Sequence, residues 1–245
     1  MNRIKNSSLL LAALSIMVML VFTSGCVMQQ GISMNANNSG WATTDLVVDD
    51  FFIAVLDDFA TFTPEGPQTS IMDASVDDFL EMLQTKPSAS NITLVKTGAS
   101  SYFFDFDFTS LHQFLLEMNK LEPQSILTVG PEGKNTAMKF YLDLKNYPEL
   151  AKMIPFLADP NFETFGPLYN EGLSVADYLD MISYILGEEG PDAIMQSVIS
   201  IRITTPTNVI SQKGGTKTGA NSVRFDIPLI DILLLAKPIS FSAIW

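Results

Sequence analysis

Few residues in this chain have the types and spacing that chemistry requires. Among 245 residues there is one Cys, Cys26, and one His, His112. A single Cys forms neither an internal disulfide nor a Cys-based zinc site, and a single His leaves a His-dependent triad only one candidate. His112 lies off the Leu111, Leu115, Met118 stripe of an amphipathic segment, with no nucleophile or orienting group at a useful spacing, so it reads as a solvent-facing helix residue. Acidic pairs recur at Asp49-Asp50, Asp57-Asp58, Asp77-Asp78 and Glu188-Glu189. Paired carboxylates serve calcium binding or glycoside hydrolysis, but there is no DxDxDG loop, and neighbours on a strand point to opposite faces. Asp105 and Asp107, two apart, share a strand face and are the best-placed pair; the expectation is a solvated face, with an acid pair or metal site as the alternative. Lys134 follows Gly130-Pro131-Glu132-Gly133, but the spacing is too short for a phosphate loop and Asn135 stands where Ser or Thr is required, so a hairpin turn is expected. Neither GxSxG nor HExxH occurs. The expectation is a protein without catalysis, cofactor or metal.

The surroundings of Cys26 are more specific. Arg3 and Lys5 precede Leu9 to Phe22, an uncharged run interrupted only by Ser15. This is the pattern of a secretory signal peptide, too short to cross about 30 Å of hydrocarbon, which takes roughly 20 apolar residues. Thr23, Ser24 and Gly25 then lead into Cys26. Here the chain resembles the bacterial lipoproteins, whose lipobox ends in a small residue, then Gly or Ala, then Cys; Thr23 stands where Leu is usual. The resemblance covers residues 1–26. It implies cleavage between Gly25 and Cys26, a diacylglyceryl thioether on Cys26, and N-acylation, typically with palmitate. Two or three acyl chains make a durable anchor where one holds only marginally. Val27 rather than Asp after the Cys is compatible with delivery to the outer membrane where that sorting rule applies.

Charge bounds the partners. With 27 acidic and 14 basic residues the net charge is -13, against a protein that grips phosphate backbones with clustered Lys and Arg. Removal of residues 1–25 takes away two basic and no acidic residues, leaving 12 basic against 27 acidic, or -15. Anionic headgroups repel such a surface, so basic residues do not supply a second anchor.

The sequence divides into a signal peptide at 1–25, a lipidated N-terminus and flexible tether at 26–44, and one globular domain at 45–245. Val27 to Thr44 is rich in Asn, Ser, Gln and Gly and carries no charge, which predicts a tether spanning roughly 20 to 25 Å, with Trp41 free to dock on the domain or the bilayer. Asp45 to Asp58 fits a buried strand or a short apolar helix, and periodicity does not separate the two. Thr63 to Gln68 reads as a turn, and Ser75 with Asp78 as a capping box opening a helix that ends before Pro87. Asn91 to Thr97 and Ser100 to Phe108 form a hairpin in which Tyr102, Phe104, Phe106 and Phe108 face the core. A helix opens at Thr109 and Ser110, and two strands flank the Gly130 to Gly133 turn. Four prolines between Asn146 and Pro191 predict short broken helices, with a cap at Ser174, an end at Gly187 and a new start at Gly190-Pro191. Ser197 to Thr205 and Ser222 to Ile227 read as strands around a Gly-rich turn from Gln212 to Asn221. Pro228 then starts an apolar segment before a last strand to Trp245. The sum is an α+β fold: an antiparallel sheet of about seven to eight strands covered by amphipathic and short broken helices.

Leu150 to Leu157, Leu173 to Leu186 and Leu229 to Leu235 are more apolar than half-exposed helices need. Ordinary core is the first expectation. The sharper one is a pocket for an acyl chain or other apolar ligand lined by Ile154, Leu157, Leu179, Ile182 and Leu233, or a surface resting on the bilayer. Three functional readings follow. The first is a lipid-anchored protein of the cell or outer membrane, facing the periplasm or exterior, whose domain binds or scaffolds a lipid or protein partner. The second is a carrier or sensor of apolar ligands. The third is an envelope hydrolase that works through carboxylates.

Overall fold

A computed structural model describes residues 26–60, 70–158 and 163–245. The signal-peptide segment, the turn expected from Thr63 to Gln68, and Pro160 and Phe162 lie outside them. The fold is α+β, with eleven strands and seven α-helices among the described residues.

The strands are β1 (Val27–Met34), β2 (Gly40–Val47), β3 (Ala89–Gly98), β4 (Ser101–Phe108), β5 (Leu127–Glu132), β6 (Asn135–Leu142), β7 (Val198–Thr204), β8 (Ser211–Lys213), β9 (Thr216–Gly219), β10 (Ser222–Pro228) and β11 (Ile239–Ile244). The helices are α1 (Asp50–Ala60), α2 (Ile71–Gln84), α3 (Leu111–Met118), α4 (Tyr147–Met153), α5 (Val175–Leu186), α6 (Gly190–Gln196) and α7 (Leu229–Leu234). A seven-stranded sheet runs β3-β4-β2-β1-β7-β10-β9, and a second sheet runs β5-β6-β11-β8. Neighbours pair antiparallel except β1 and β7, which are parallel.

The first correction concerns residues 26–44, which are not a tether. Val27 to Met34 is the middle strand of the large sheet, paired with β2 on one side and β7 on the other. Gly40 onwards returns as β2 through a turn in which Asn38 takes φ 64° and Asn37 accepts hydrogen bonds from the Ser39 N–H and hydroxyl. Its polar composition concealed the strand. Every second residue, Ile32 and Met34 most deeply, reaches the core, while Gln29 and Ser33 alternate on the other face. A strand with a partner on each side satisfies its backbone through its neighbours and needs few apolar residues of its own.

Two further boundaries differ from the sequence reading. Helix α2 begins at Ile71 with Ser70 as its cap, its side chain accepting from the Met72 N–H at 3.3 Å, so Ser75 and Asp78 lie inside the helix rather than at its start. The Gly-rich stretch from Gln212 to Asn221 is not one turn. It steps between sheets: β8 pairs with β11 in the small sheet and β9 with β10 in the large one. Gly214 makes the step at φ 81°, and a Cβ there would meet the Ser240 carbonyl oxygen at 2.9 Å. Asp45 to Asp58 resolves into both of its candidates, the end of β2 followed by α1.

Elsewhere local signals and structure agree. Ser110 and Ser174 cap α3 and α5, accepting from the Gln113 and Asp177 N–H groups. Gly187 ends α5 at φ 82°, and Pro191 sits in the first turn of α6. Tyr102, Phe104, Phe106 and Phe108 are all buried. One face of the large sheet packs on helices α2 and α3 and on the small sheet. Phe79 of α2 meets Phe104 edge-on, Phe114 of α3 meets Phe106, and Phe225 of β10 stacks on Phe241 of β11. A second apolar cluster joins α5, α6 and α7 through Tyr178, Ile182, Ile194, Ile230 and Leu234.

One buried carboxylate ties these layers together. Glu117 of α3 is only 8% exposed and accepts from the Ser88 N–H at 3.0 Å, the Ser88 hydroxyl at 2.6 Å and the Gln113 amide at 2.9 Å. Burial alone raises its pKa, but hydrogen bonds from Ser88 and Gln113, with Lys86 nearby, outweigh burial and hold the carboxyl below its ordinary value. A lowered folded-state pKa stabilises the fold above the unfolded value, and that contribution disappears as pH falls through the folded value. Glu117→Gln is therefore expected to cost about 2 kcal/mol at pH 7. In urea titrations the gap to wild type should close as pH drops below the ordinary glutamate range; a gap independent of pH would contradict the assignment.

Candidate lipid-attachment site at Cys26

Cys26 stands one residue ahead of β1, and backbone pairing continues through it. The Val198 N–H donates to the Cys26 carbonyl at 3.1 Å, extending the parallel β1–β7 ladder. The Cys26 N–H donates to the Ser197 hydroxyl at 2.9 Å, and that hydroxyl donates to the Ala193 carbonyl at 2.7 Å, closing the last turn of α6. Ser197 is 1% exposed, so the residue before the strand is held by a buried partner 171 positions away. The side chain of Cys26 is partly exposed. Burial raises the thiol pKa, offset in part by hydrogen bonds to the Asp49 backbone and Ser197; the Asp49 carboxylate adds to the rise. The group is a poor free nucleophile at neutral pH, because attack requires the thiolate.

Sequence reasoning missed Ser197 and Val198, and it read Asp49 only as half of an acidic pair, not as a neighbour of Cys26. No motif marks them. They meet Cys26 only because β1 pairs with β7 and the chain turns from β2 into α1 beside it.

The five residues expected to line an apolar pocket are brought together only in part, three of them in one cluster and two elsewhere. Ile154 packs on the main core between the two sheets. Leu179, Ile182 and Leu233 belong to the helical cluster, where Ile182 is fully buried against its neighbours. Leu157 is half-buried in the 3-10 turn Pro155–Ala158. Tyr178 at the centre of the helical cluster donates its hydroxyl to the Phe165 carbonyl at 3.1 Å, and burial pushes its phenol well up. An open depression of about 170 Å³ lies at the β5–β6 hairpin, lined by Thr128, Gly130, Pro131, Glu132 and Lys139 among others, and none of the five faces it.

The remaining candidates are spread out. His112 is exposed on α3. Asp107 accepts from the Asn91 amide at 2.7 Å, while Asp105 sits opposite Thr43 and Thr93 on the open face of the sheet. Asp77, Asp78, Glu188 and Glu189 are exposed, as is Asp50, whose carboxylate accepts from the Ser100 hydroxyl. Among the described residues no three His, Cys, Asp or Glu side chains converge to hold a metal ion. Gly133 takes φ 64° in the tight β5–β6 turn, which places Lys134 in a hairpin.

No protein-family model and no curated protein matches the chain. Among solved structures, the chain is similar to the NMR structure of the folded domain of the Mycobacterium tuberculosis LppM protein, with a TM-score of 0.42 and 7% sequence identity over 89% of this chain and 88% of that one.

Proposed function

We propose that this chain is a lipoprotein of the bacterial cell envelope, held at a membrane by acylation of Cys26 and carrying an extracytoplasmic domain that binds or scaffolds a partner. The carrying observation is the position of the chain's one cysteine, directly after an apolar leader and Thr23-Ser24-Gly25 and directly before the first strand. Local chemistry supports it. An N-acylated cysteine keeps a secondary amide with one N–H, the same donor that a peptide bond supplies, so the hydrogen bond to Ser197 survives replacement of Gly25 by an acyl group. No helix among the described residues is long and apolar enough to cross a membrane. A covalent anchor supplies the attachment that those helices do not.

Growth with an alkyne-bearing fatty acid is expected to label the wild-type chain and to leave Cys26→Ala unlabelled. Label persisting in Cys26→Ala would end the proposal. Mass spectrometry of the purified chain should show an N-terminus at Cys26 with two or three acyl chains.

A further inference from the structure

On the open face of the large sheet, the row nearest Cys26 is apolar across four strands. Val47 of β2 lies opposite Val27 of β1, Val27 opposite Val198 of β7, and Val198 opposite Pro228 of β10. Val27 is 37% exposed and Val47 42%. Met195, 49% exposed, lies two residues before Ser197, which holds the Cys26 N–H. At the other end of the same face the corresponding row mixes Ser33, Asp107 and Thr204 with one aromatic, Trp41, which is 44% exposed between Ser33 and Asp107. That row is six residues along β1, or about 20 Å away. The row beside Cys26 is therefore an uncharged apolar strip where the chain enters the fold.

We infer that the domain itself rests on the bilayer through this Val27, Val47, Val198 and Met195 corner, held flush by the acylated Cys26 beside it. The inference rests on the acylation proposed above. Because β1 begins one residue after Cys26, no flexible spacer separates the acyl chains from the sheet, and the corner cannot leave the lipid surface by more than the reach of a single residue. A bilayer is the occupant that this geometry dictates: the anchor brings it to within one residue of the patch at every moment, at an effective concentration that a diffusing partner does not reach. Charge selects the kind of surface. The row carries no ionised side chain, Asp49 adjoins Cys26, and the chain from Cys26 onward has a net charge of -15, which suits zwitterionic headgroups and disfavours anionic ones. The patch is small, so it orients the domain and does not bind membranes without the acyl chains.

The test uses the full chain, processed in bacteria and reconstituted in phosphatidylcholine vesicles with nitroxide-labelled lipids. Cysteines introduced singly by Val47→Cys, Met195→Cys and Ser33→Cys carry an environment-sensitive fluorophore; all three positions lie at least partly exposed, and circular dichroism verifies the fold of each variant. Labels at 47 and 195 are expected to shift to the blue and lose emission to the nitroxides, while the label at 33 stays water-like and unquenched. Raising the phosphatidylglycerol fraction should not strengthen the quenching. Mass spectrometry of the same samples separates the two ideas. Acylated protein with equal, low quenching at all three positions overturns the flush orientation and leaves the anchor intact. Protein without acyl chains overturns the anchor and this inference with it.

Discussion

A chain beginning at Asn35 is expected to be unfolded, whereas one beginning at Val27 folds. A reading of residues 26–44 as a tether makes Asn35 a natural start for a soluble form, but that start deletes β1, the strand between β2 and β7. Its removal leaves β3-β4-β2 and β7-β10-β9 as two three-stranded pieces with facing unpaired edges. Ile32 and Met34, 9% and 4% exposed, leave the main core, each contributing about 1.5 to 3 kcal/mol by burial. The lost ladder bonds on both sides add about 1 kcal/mol each. Ordering the eight strand residues costs about 1 to 2 kcal/mol each in return, so the net loss is a large share of the 5 to 15 kcal/mol, roughly, by which a domain is stable. The exposed edges also invite aggregation. Circular dichroism and amide proton dispersion of the two chains decide the matter: a cooperative unfolding transition in the chain starting at Asn35 would show that β1 is dispensable. Cys26 stands one residue before this strand, so the acyl group proposed for it would sit on the fold itself rather than on a lead.

Phe241→Ala is expected to cost about 4 kcal/mol. Phe241 is 5% exposed and lies between two rings, 4.1 Å from Phe225 at 17° and 4.5 Å from Phe140 at 2°. Phe225 belongs to the large sheet, Phe140 and Phe241 to the small one, so the stack is where the sheets meet. Truncation opens a cavity between layers that cannot close, since β11 is hydrogen-bonded to β6 and β8 on either side. Phe241→Leu keeps most of the volume and should cost less than about 1.5 kcal/mol. Urea unfolding of both variants checks the contrast. Losses under about 1 kcal/mol for the alanine variant would mean that the sheets are held together elsewhere.

Parts of this architecture are legible residue by residue. The alternation from Tyr102 to Phe108, the caps at Ser110 and Ser174, the stop at Gly187 and the start at Pro191 are decided within a few positions by sterics and hydrogen bonding of adjacent groups. The α+β class follows from their order. The pocket expected from Ile154, Leu157, Leu179, Ile182 and Leu233 shows the limit of that reasoning. Apolar segments tell that a face is buried and leave open which cluster buries it, and Ile154 and Ile182 joined different ones. The small sheet was equally hidden, because β8 is three residues long and exists only through its pairing with β11.

The sequence by itself determined the features whose causes are local: an apolar leader ending in small residues at the single Cys26, an acidic and nearly His-free chain, the caps, turns and the amphipathic β3–β4 hairpin. Tertiary structure alone decided that Val27 to Val47 is the middle of a sheet, that Ser197 holds the Cys26 amide, and that apolar residues from β1, β2, β7 and α6 gather around it. The physical reason is the range of the interactions. A cap or a turn is satisfied by groups a few residues away, whereas a central strand is defined by hydrogen bonds to partners elsewhere in the chain, in this case to β7 some 170 residues on, and its own composition hardly needs to announce it.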